Sequence, residues 1–376
     1  MTITEPIIAT EALVLHELHG PLVWETLHIY DLQPNEIVVD IQATGICHTD
    51  LMFMDGEIPS RQPGVFGHEG AGIVRQTGEN VTHIRIGDKV LLSFDFCERC
   101  DNCVARHPAY CDAWRLLNSS GHREDGTSAL RTVTGEGVWS NFFGQSCFSR
   151  VAVVGARCAI PVPAETDLTM LAPLGCGIQT GAGAVLNVLK TQPGQSVAVF
   201  GTGAVGLAAV MAARIAGAEP IIAVDVQESR LQMAAELGAT HTINAKKQEV
   251  VLAIQALTGG KSVQLAVECS GVPAVVSDML ASLCARGRAV SVGMTSVADN
   301  VQINLFAHLM GGKEYIGCVE GDVYPPEFVP WLADQYSRGK FPVDKLIKVY
   351  KVRDYEQAFA DVHDGKVIKA VLDWTE

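Results

Sequence analysis

The chain has 376 residues, 48% hydrophobic and 19% charged, with 36 glycines and a formal net charge of −14. That length is too great for one hydrophobic core and suits two domains, while the composition argues against a disordered chain. The negative charge disfavours nucleic acid and anionic membrane, which both call for a basic surface, and says nothing about a small neutral substrate.

The N-terminal MTITEPIIATEALVL shows no basic region leading into an apolar run, so no secretory signal is read. Eleven cysteines in such a chain point to reduced thiols and metal ligands before disulfides, in a cytoplasmic protein. From residue 11 to about 155, short apolar runs such as EIVVDIQATGI, GHEGAGIVRQTG and GDKVLLSF are broken by Gly, Pro, Asn and Asp, which predicts a small, mostly antiparallel β domain. The charge-free stretch from Thr191 to Ala213 has the length of a membrane span. Pro193 and the glycines 194, 201, 203 and 206 divide it instead into a turn, a strand and a helix start. From about residue 196 apolar strands alternate with amphipathic helices (SVAVFG, AVGLAAVMAARIAGA, PIIAVDV, ESRLQMAAELGA), the pattern of a parallel sheet covered on both faces. After about residue 322 the texture is mixed again. The predicted layout is a β-rich domain built from 1–177 and 323–376, enclosing a doubly wound domain at 178–322.

VAVFGTGAVG sets Gly201, Gly203 and Gly206 directly after a strand and at the mouth of a helix, the context that the dinucleotide fingerprint requires. Phosphates would rest on the free N–H groups of that helix. Asp225 stands 19 residues after Gly206, at the end of the next strand, where a carboxylate accepts bonds from ribose hydroxyls. A 2′-phosphate about 4 Å from that carboxylate would cost on the order of 4 kcal/mol before screening, so NAD is expected over NADP. Arg230 reads equally as a partner of the adenosine ribose or as a solvated helix charge.

Cys97, Cys100, Cys103 and Cys111 form C-x2-C-x2-C-x7-C. Four thiolates close a tetrahedral zinc shell, which makes the site structural; an iron–sulfur cluster is the alternative. A reactive zinc needs an open position and hence three protein ligands. Candidates outside the tetrad are Cys47 and His48 in GICHTDL, His68 and Glu69 in GVFGHEGAG, and Cys176 in PLGCGIQTG.

In order along the chain, CHTD, GHEGAG, the four-cysteine loop, GCGIQTGAG, GTGAVG and GKVIKAVL resemble the zinc-dependent medium-chain alcohol dehydrogenases. LAPLGCGIQTGAGAVLNVLK looks closest to the aryl-alcohol branch and its terpene-alcohol relatives. The resemblance implies a GroES-like catalytic domain and a Rossmann cofactor domain, two zinc ions and NAD, and interconversion of a primary alcohol, aromatic or allylic, with its aldehyde. It assigns the catalytic zinc to Cys47, His68 and Cys176, the Cys2His set for which alcohol dehydrogenase is the standard example. It also implies that Asp50 holds the second ring nitrogen of His68, that Glu69 stands behind the metal, and that Thr49 receives the substrate proton. His48 and Lys369 would neutralise the cofactor pyrophosphate, Thr180 and Val205 would line the nicotinamide, and Val292 would be a further cofactor-binding residue. Ile58, Ser93, Phe94, Phe142 and Phe143 would line the substrate pocket. Met52 departs from the pattern, because familiar members end their proton relay there with a histidine.

The long 112–141 segment resembles that of dimeric members, and KEYIGCV is the expected edge strand of a homodimer. Cys147, Cys158, Cys269, Cys284 and Cys318 are expected to be buried apolar residues. Two other functions stay open: an S-(hydroxymethyl)glutathione dehydrogenase, disfavoured by His48 where that branch carries arginine, and a catalytically silent zinc and cofactor-binding protein.

Overall fold

The computed structural model describes residues 5–376, which form two compact units. The first comprises Met1–Cys176, Tyr324–Ala333 and Val343–Glu376, and the second Gly177–Val323 with Asp334–Pro342. The sequence reading left 334–342 with the first. The physical reason for the difference is the unbroken helix Pro325–Ser337, within which the chain passes from one unit to the other.

In the first unit β1 (Ile8–Leu15) and β2 (Leu22–Ile29) form an antiparallel pair. β3 (Glu36–Gly45), β4 (Glu69–Thr77), β5 (Lys89–Leu92), β6 (Val151–Gly155) and β7 (Ala159–Val162) belong to a larger sheet. β3 is its centre, pairing with both β4 and β6. Its run Ile37-Val38-Val39 is fully buried, as expected of β-branched residues on a covered pleated surface. The register sets Gly45 opposite Glu69, so the residues that follow β3 lie beside those that precede β4. A side chain at Gly45 would bring its Cβ to 2.0 Å from the Glu69 carboxylate. Only glycine permits that approach.

The second unit holds a parallel six-stranded sheet of β8 (Val197–Phe200), β9 (Ile221–Asp225), β10 (His241–Asn244), β11 (Val263–Glu268), β12 (Leu283–Ser291) and β13 (Glu314–Gly317). Their order is β10-β9-β8-β11-β12-β13, so the winding reverses between β8 and β11, the place where such sheets bind ligands beyond the strand ends. At that point Gly201 has φ +84°, and a Cβ at Gly206 would lie 1.8 Å from the Gly201 carbonyl oxygen. The strand and the helix Ala204–Ile215 meet too closely for a side chain. The stretch 191–213 thus divides into a turn, β8 and that helix, and no single described helix is long and apolar enough to cross a membrane.

The chain returns to the first unit with β14 (Ile347–Lys351) and β15 (Lys369–Asp373), completing the order β14-β15-β3-β4-β5-β7, with β6 also on β3. Of the five cysteines expected to be buried, Cys147, Cys158 and Cys318 are, whereas Cys269 and Cys284 are only half-buried. Cys269 directly follows β11, and Cys284 is the second residue of β12, at the strand's entry.

Candidate metal centres and cofactor fold

Cys47, two residues after the end of β3, caps the helix His48–Met54. His68 precedes β4, and Cys176 follows the short helical turn Ala172–Gly175. The antiparallel register therefore carries Cys47 to His68, and their ligand atoms and that of Cys176 lie within 4.8 Å of one another.

One buried carboxylate orients two of these residues. Asp50 Oδ1 lies 2.9 Å from His68 Nδ1 and also accepts the Gly67 backbone N–H, while Oδ2 accepts the Cys47 backbone N–H at 3.0 Å. Because a carboxylate only accepts, the ring proton must sit on Nδ1, which leaves the lone pair on Nε2. That Nε2 is fully buried with no oxygen or nitrogen partner and faces the two sulfurs. Such an orphan atom is costly unless something binds it. Two sulfurs and one imidazole nitrogen suit zinc, and three ligands leave a fourth position open.

The electrostatics favour thiolate at this site. A hydrogen bond from Cys176 holds the Cys47 thiol well below its usual range, against the opposing effect of burial, with help from the charge of Lys369. Behind them Glu69 is completely buried, and Lys369 is 4% exposed. Burial pushes the Glu69 carboxyl up, to about 7, against the pull of Lys369. The lysine Nζ donates to both Glu69 oxygens, at 2.7 and 2.8 Å, and to the Ile46 carbonyl at 3.1 Å. Those contacts use all three of its protons. Its charge is already spent on Glu69, and a cofactor phosphate would have to compete with that carboxylate. His48 is exposed and Thr49 half-buried on the first turn of the same helix. Met52 is 3% exposed, so the relay position is an apolar core site.

The four-cysteine loop gathers its sulfurs within 4.8 Å as well. Backbone N–H groups of Cys97 and Cys100 point at the Cys111 and Cys97 sulfurs, at 3.3 and 3.4 Å. Backbone N–H groups of Asp112 and Cys103 lower the Cys100 thiol to about 7. Four sulfurs fill a tetrahedron, so this centre offers substrate no coordination position.

The expected pocket residues divide. Phe94 and Phe142 have almost no exposed surface and act as core in this structure: Phe142 packs edge-on against Phe53, Phe66 and His68. Ser93, equally buried, donates its hydroxyl to the Gly175 carbonyl at 2.7 Å, which fixes the turn that presents Cys176. Phe143 and Ile58 keep some exposure, and the Phe143 ring stacks on the His68 imidazole at 4.5 Å between centroids.

The sequence reading passed over Gln145. Its amide donates to the carbonyls of His68 and Ser93 and accepts from Gly70 N–H, tying together the segments that carry two of the site residues. A polar residue within NFFGQSC was the only available signal.

In the second unit Asp225 closes β9 and is 7% exposed. Oδ2 accepts from the Thr202 N–H and hydroxyl, and Oδ1 from the N–H groups of Val226 and Gln227. The carboxylate thus braces the fingerprint turn. Arg230 is half-buried on the helix Glu228–Leu237, and Val205 and Val292 are partly exposed just beyond β8 and β12. Thr180, 8% exposed, donates its hydroxyl to Glu320.

Residues 33–164 match the alcohol dehydrogenase GroES-like domain, and residues 204–336 the zinc-binding dehydrogenase family. Geraniol dehydrogenase of Castellaniella defragrans is 38% identical over 374 residues, 99% of this chain and 100% of that protein. The chain belongs to the zinc-dependent medium-chain alcohol dehydrogenases. Its fold is similar to that of an alcohol dehydrogenase zinc-binding domain protein from Burkholderia ambifaria, with 44% identity, a TM-score of 0.95, and coverage of 97% of this chain and 99% of that one. It is also similar to benzyl alcohol dehydrogenase from Acinetobacter calcoaceticus, with 39% identity, a TM-score of 0.94, and coverage of 98% and 99%. Membership makes the protein a zinc- and NAD-binding oxidoreductase. The four-cysteine loop is one of the two groups that could hold its zinc.

Proposed function

We propose that the protein interconverts aromatic or allylic primary alcohols and their aldehydes with NAD at the site of Cys47, His68 and Cys176. The observation that carries this reading is the buried, unpartnered His68 Nε2, fixed by Asp50 and facing two sulfurs. Zinc at that place supplies Lewis acidity toward the alcohol oxygen, and NAD accepts the hydride. The chain's own contributions are orientation and exclusion of water: Asp50 sets the His68 tautomer, Ser93 fixes the Cys176 turn, and Thr49 would pass on the hydroxyl proton. The Phe143 ring beside His68 supports a planar apolar substrate. The similarity to geraniol and benzyl alcohol dehydrogenases points the same way. The complete ligand set argues against a silent protein.

An assay of benzyl alcohol, geraniol, ethanol and hydroxymethylglutathione with NAD tests the assignment. Burying a ring or an isoprenoid chain is expected to raise kcat/KM about 10- to 100-fold over ethanol. A preference for ethanol or hydroxymethylglutathione would refute the substrate class. NAD should be favoured over NADP, and Asp225→Gly should narrow that preference about tenfold or more by removing the like charge. Unchanged cofactor ratios in that variant would remove Asp225 from the specificity argument.

The assembly we infer is a homodimer. β13 ends its sheet with an open edge, and the preceding helix Leu305–Gly311 exposes Leu305, Phe306, Leu309 and Met310 at 80, 73, 75 and 70%. Neighbouring apolar residues so exposed mark an association surface. Leu309→Glu should shift the mass measured by light scattering toward the monomer; a monomeric parent protein would contradict the inference. None of the described cysteines is in a disulfide, which supports a reducing, cytoplasmic setting.

A further inference from the structure

The two metal centres are joined by a short train of aromatic contacts. Cys111, last of the four cysteines, accepts a hydrogen bond from the Trp114 backbone N–H at 2.9 Å. Trp114 opens the helix Trp114–Ser119. Its indole lies 5.0 Å from the Phe94 ring and meets Phe143 edge-on at 6.1 Å, with an interplanar angle of 88°. Phe143 in turn stacks on His68 at 4.5 Å and 25°.

Neither end of this train is free to drift. The fully buried Asn118, one turn along the Trp114 helix, accepts the Asp95 backbone N–H at 2.8 Å and donates to the carbonyls of Asp95 and Trp114 at 2.9 and 3.0 Å. The helix is thereby pinned to the segment that runs into Cys97. At the other end Phe143 has φ +50° and ψ +36°, in a turn where Asn141, Gly144 and Ser146 also have positive φ. A phenylalanine holds that left-handed conformation only where its surroundings enforce it. The contacts that do so include the edge of Trp114 and the face of His68.

We propose that Trp114 is a positioning residue that couples the closed four-cysteine centre to the ligand His68 through Phe143. Asp50 fixes the imidazole at Nδ1, which leaves rotation about that bond to be limited by what packs on the ring faces. Trp114 seats Phe143, and Phe143 sets that rotation. The four-cysteine centre then acts on catalysis at a distance by holding Trp114 in place.

The proposal rests on the two-site reading, and cobalt(II) exchanged into the Cys47, His68 and Cys176 site tests both separably. A protein that takes up no cobalt there fails the two-site reading before any variant is compared. Given uptake, Trp114→Ala should keep both metals, shift the visible cobalt bands and lower kcat/KM about three- to tenfold, the scale of one lost aromatic pair. Trp114→Phe should restore both. Cys100→Ser should shift the same bands in the parent and add little in the Trp114→Ala background, as coupled positions do. Should Trp114→Ala fail to fold, Phe143→Leu is expected to produce the band shift with the four-cysteine metal retained. Parental bands in Trp114→Ala or in Phe143→Leu, or full additivity with Cys100→Ser, would overturn the proposal.

Discussion

Cys176→Ser is expected to leave a folded protein with one zinc per chain in place of two, and with turnover reduced about 10³-fold or more. The magnitude follows from what a Lewis acid supplies to the ionising alcohol, several kcal/mol at about 1.4 kcal/mol per decade. The fold should survive, because Cys176 belongs to a short turn held independently by the Ser93 hydroxyl on Gly175, and because the β3–β4 pairing does not involve it. Serine keeps the shape but replaces a soft thiolate with a hydroxyl that remains protonated at neutral pH. Metal analysis and an activity assay check both halves of the expectation. A fully active variant, or one retaining two zincs, would remove Cys176 from the catalytic set.

The second large effect concerns stability. Arg123 lies in the long 112–141 segment with its side chain 2% exposed, and Glu36 begins β3 with its side chain 9% exposed. Nε and Nη2 donate to the two Glu36 oxygens at 2.7 and 2.8 Å, and Nη1 and Nη2 to the Asp31 carboxylate and carbonyl at 2.8 and 3.2 Å. Removing one partner of such a pair strands a buried charge, at a cost of about 3–5 kcal/mol. Arg123→Met should therefore lower the thermal midpoint by about 10 °C with both metals retained. Arg123→Met combined with Glu36→Leu should recover much of the loss, because it leaves no buried carboxylate unpaired; the Asp31 side chain is 63% exposed and open to water. For comparison, the exposed Lys351–Glu376 pair, 63 and 50% exposed, is expected to contribute less than about 1 kcal/mol. Equal effects at the two pairs would contradict the argument from burial.

Legibility in the sequence followed distance along the chain. The four cysteines and the glycine fingerprint are contiguous, and their spacing alone states a chemistry. Cys47, His68 and Cys176 share no local pattern; the register that sets Gly45 opposite Glu69 brings the first two together, and the turn held by Ser93 on Gly175 presents the third, neither of which any window of sequence displays. Gln145, Asn118 and Arg123 were silent for the same reason, since nearly all the groups they satisfy lie between 23 and 92 residues away. Aromatic residues were ambiguous in another way. A run such as NFFG looks the same whether it walls a pocket or fills a core, and only burial separates Phe142 from its neighbour Phe143. Lys369 shows a third limit. Its charge was legible, but not the buried Glu69 on which it is spent.

The central claim is that chemistry belongs to the three-residue centre and that the four-cysteine loop is closed. Anomalous diffraction at the zinc edge from crystals grown with an alcohol analogue tests it most directly. The account predicts two zinc peaks per chain, with the analogue's oxygen on the zinc among Cys47, His68 and Cys176 and four sulfurs alone around the other. An analogue bound to the metal of Cys97, Cys100, Cys103 and Cys111, or no metal at His68, would contradict it.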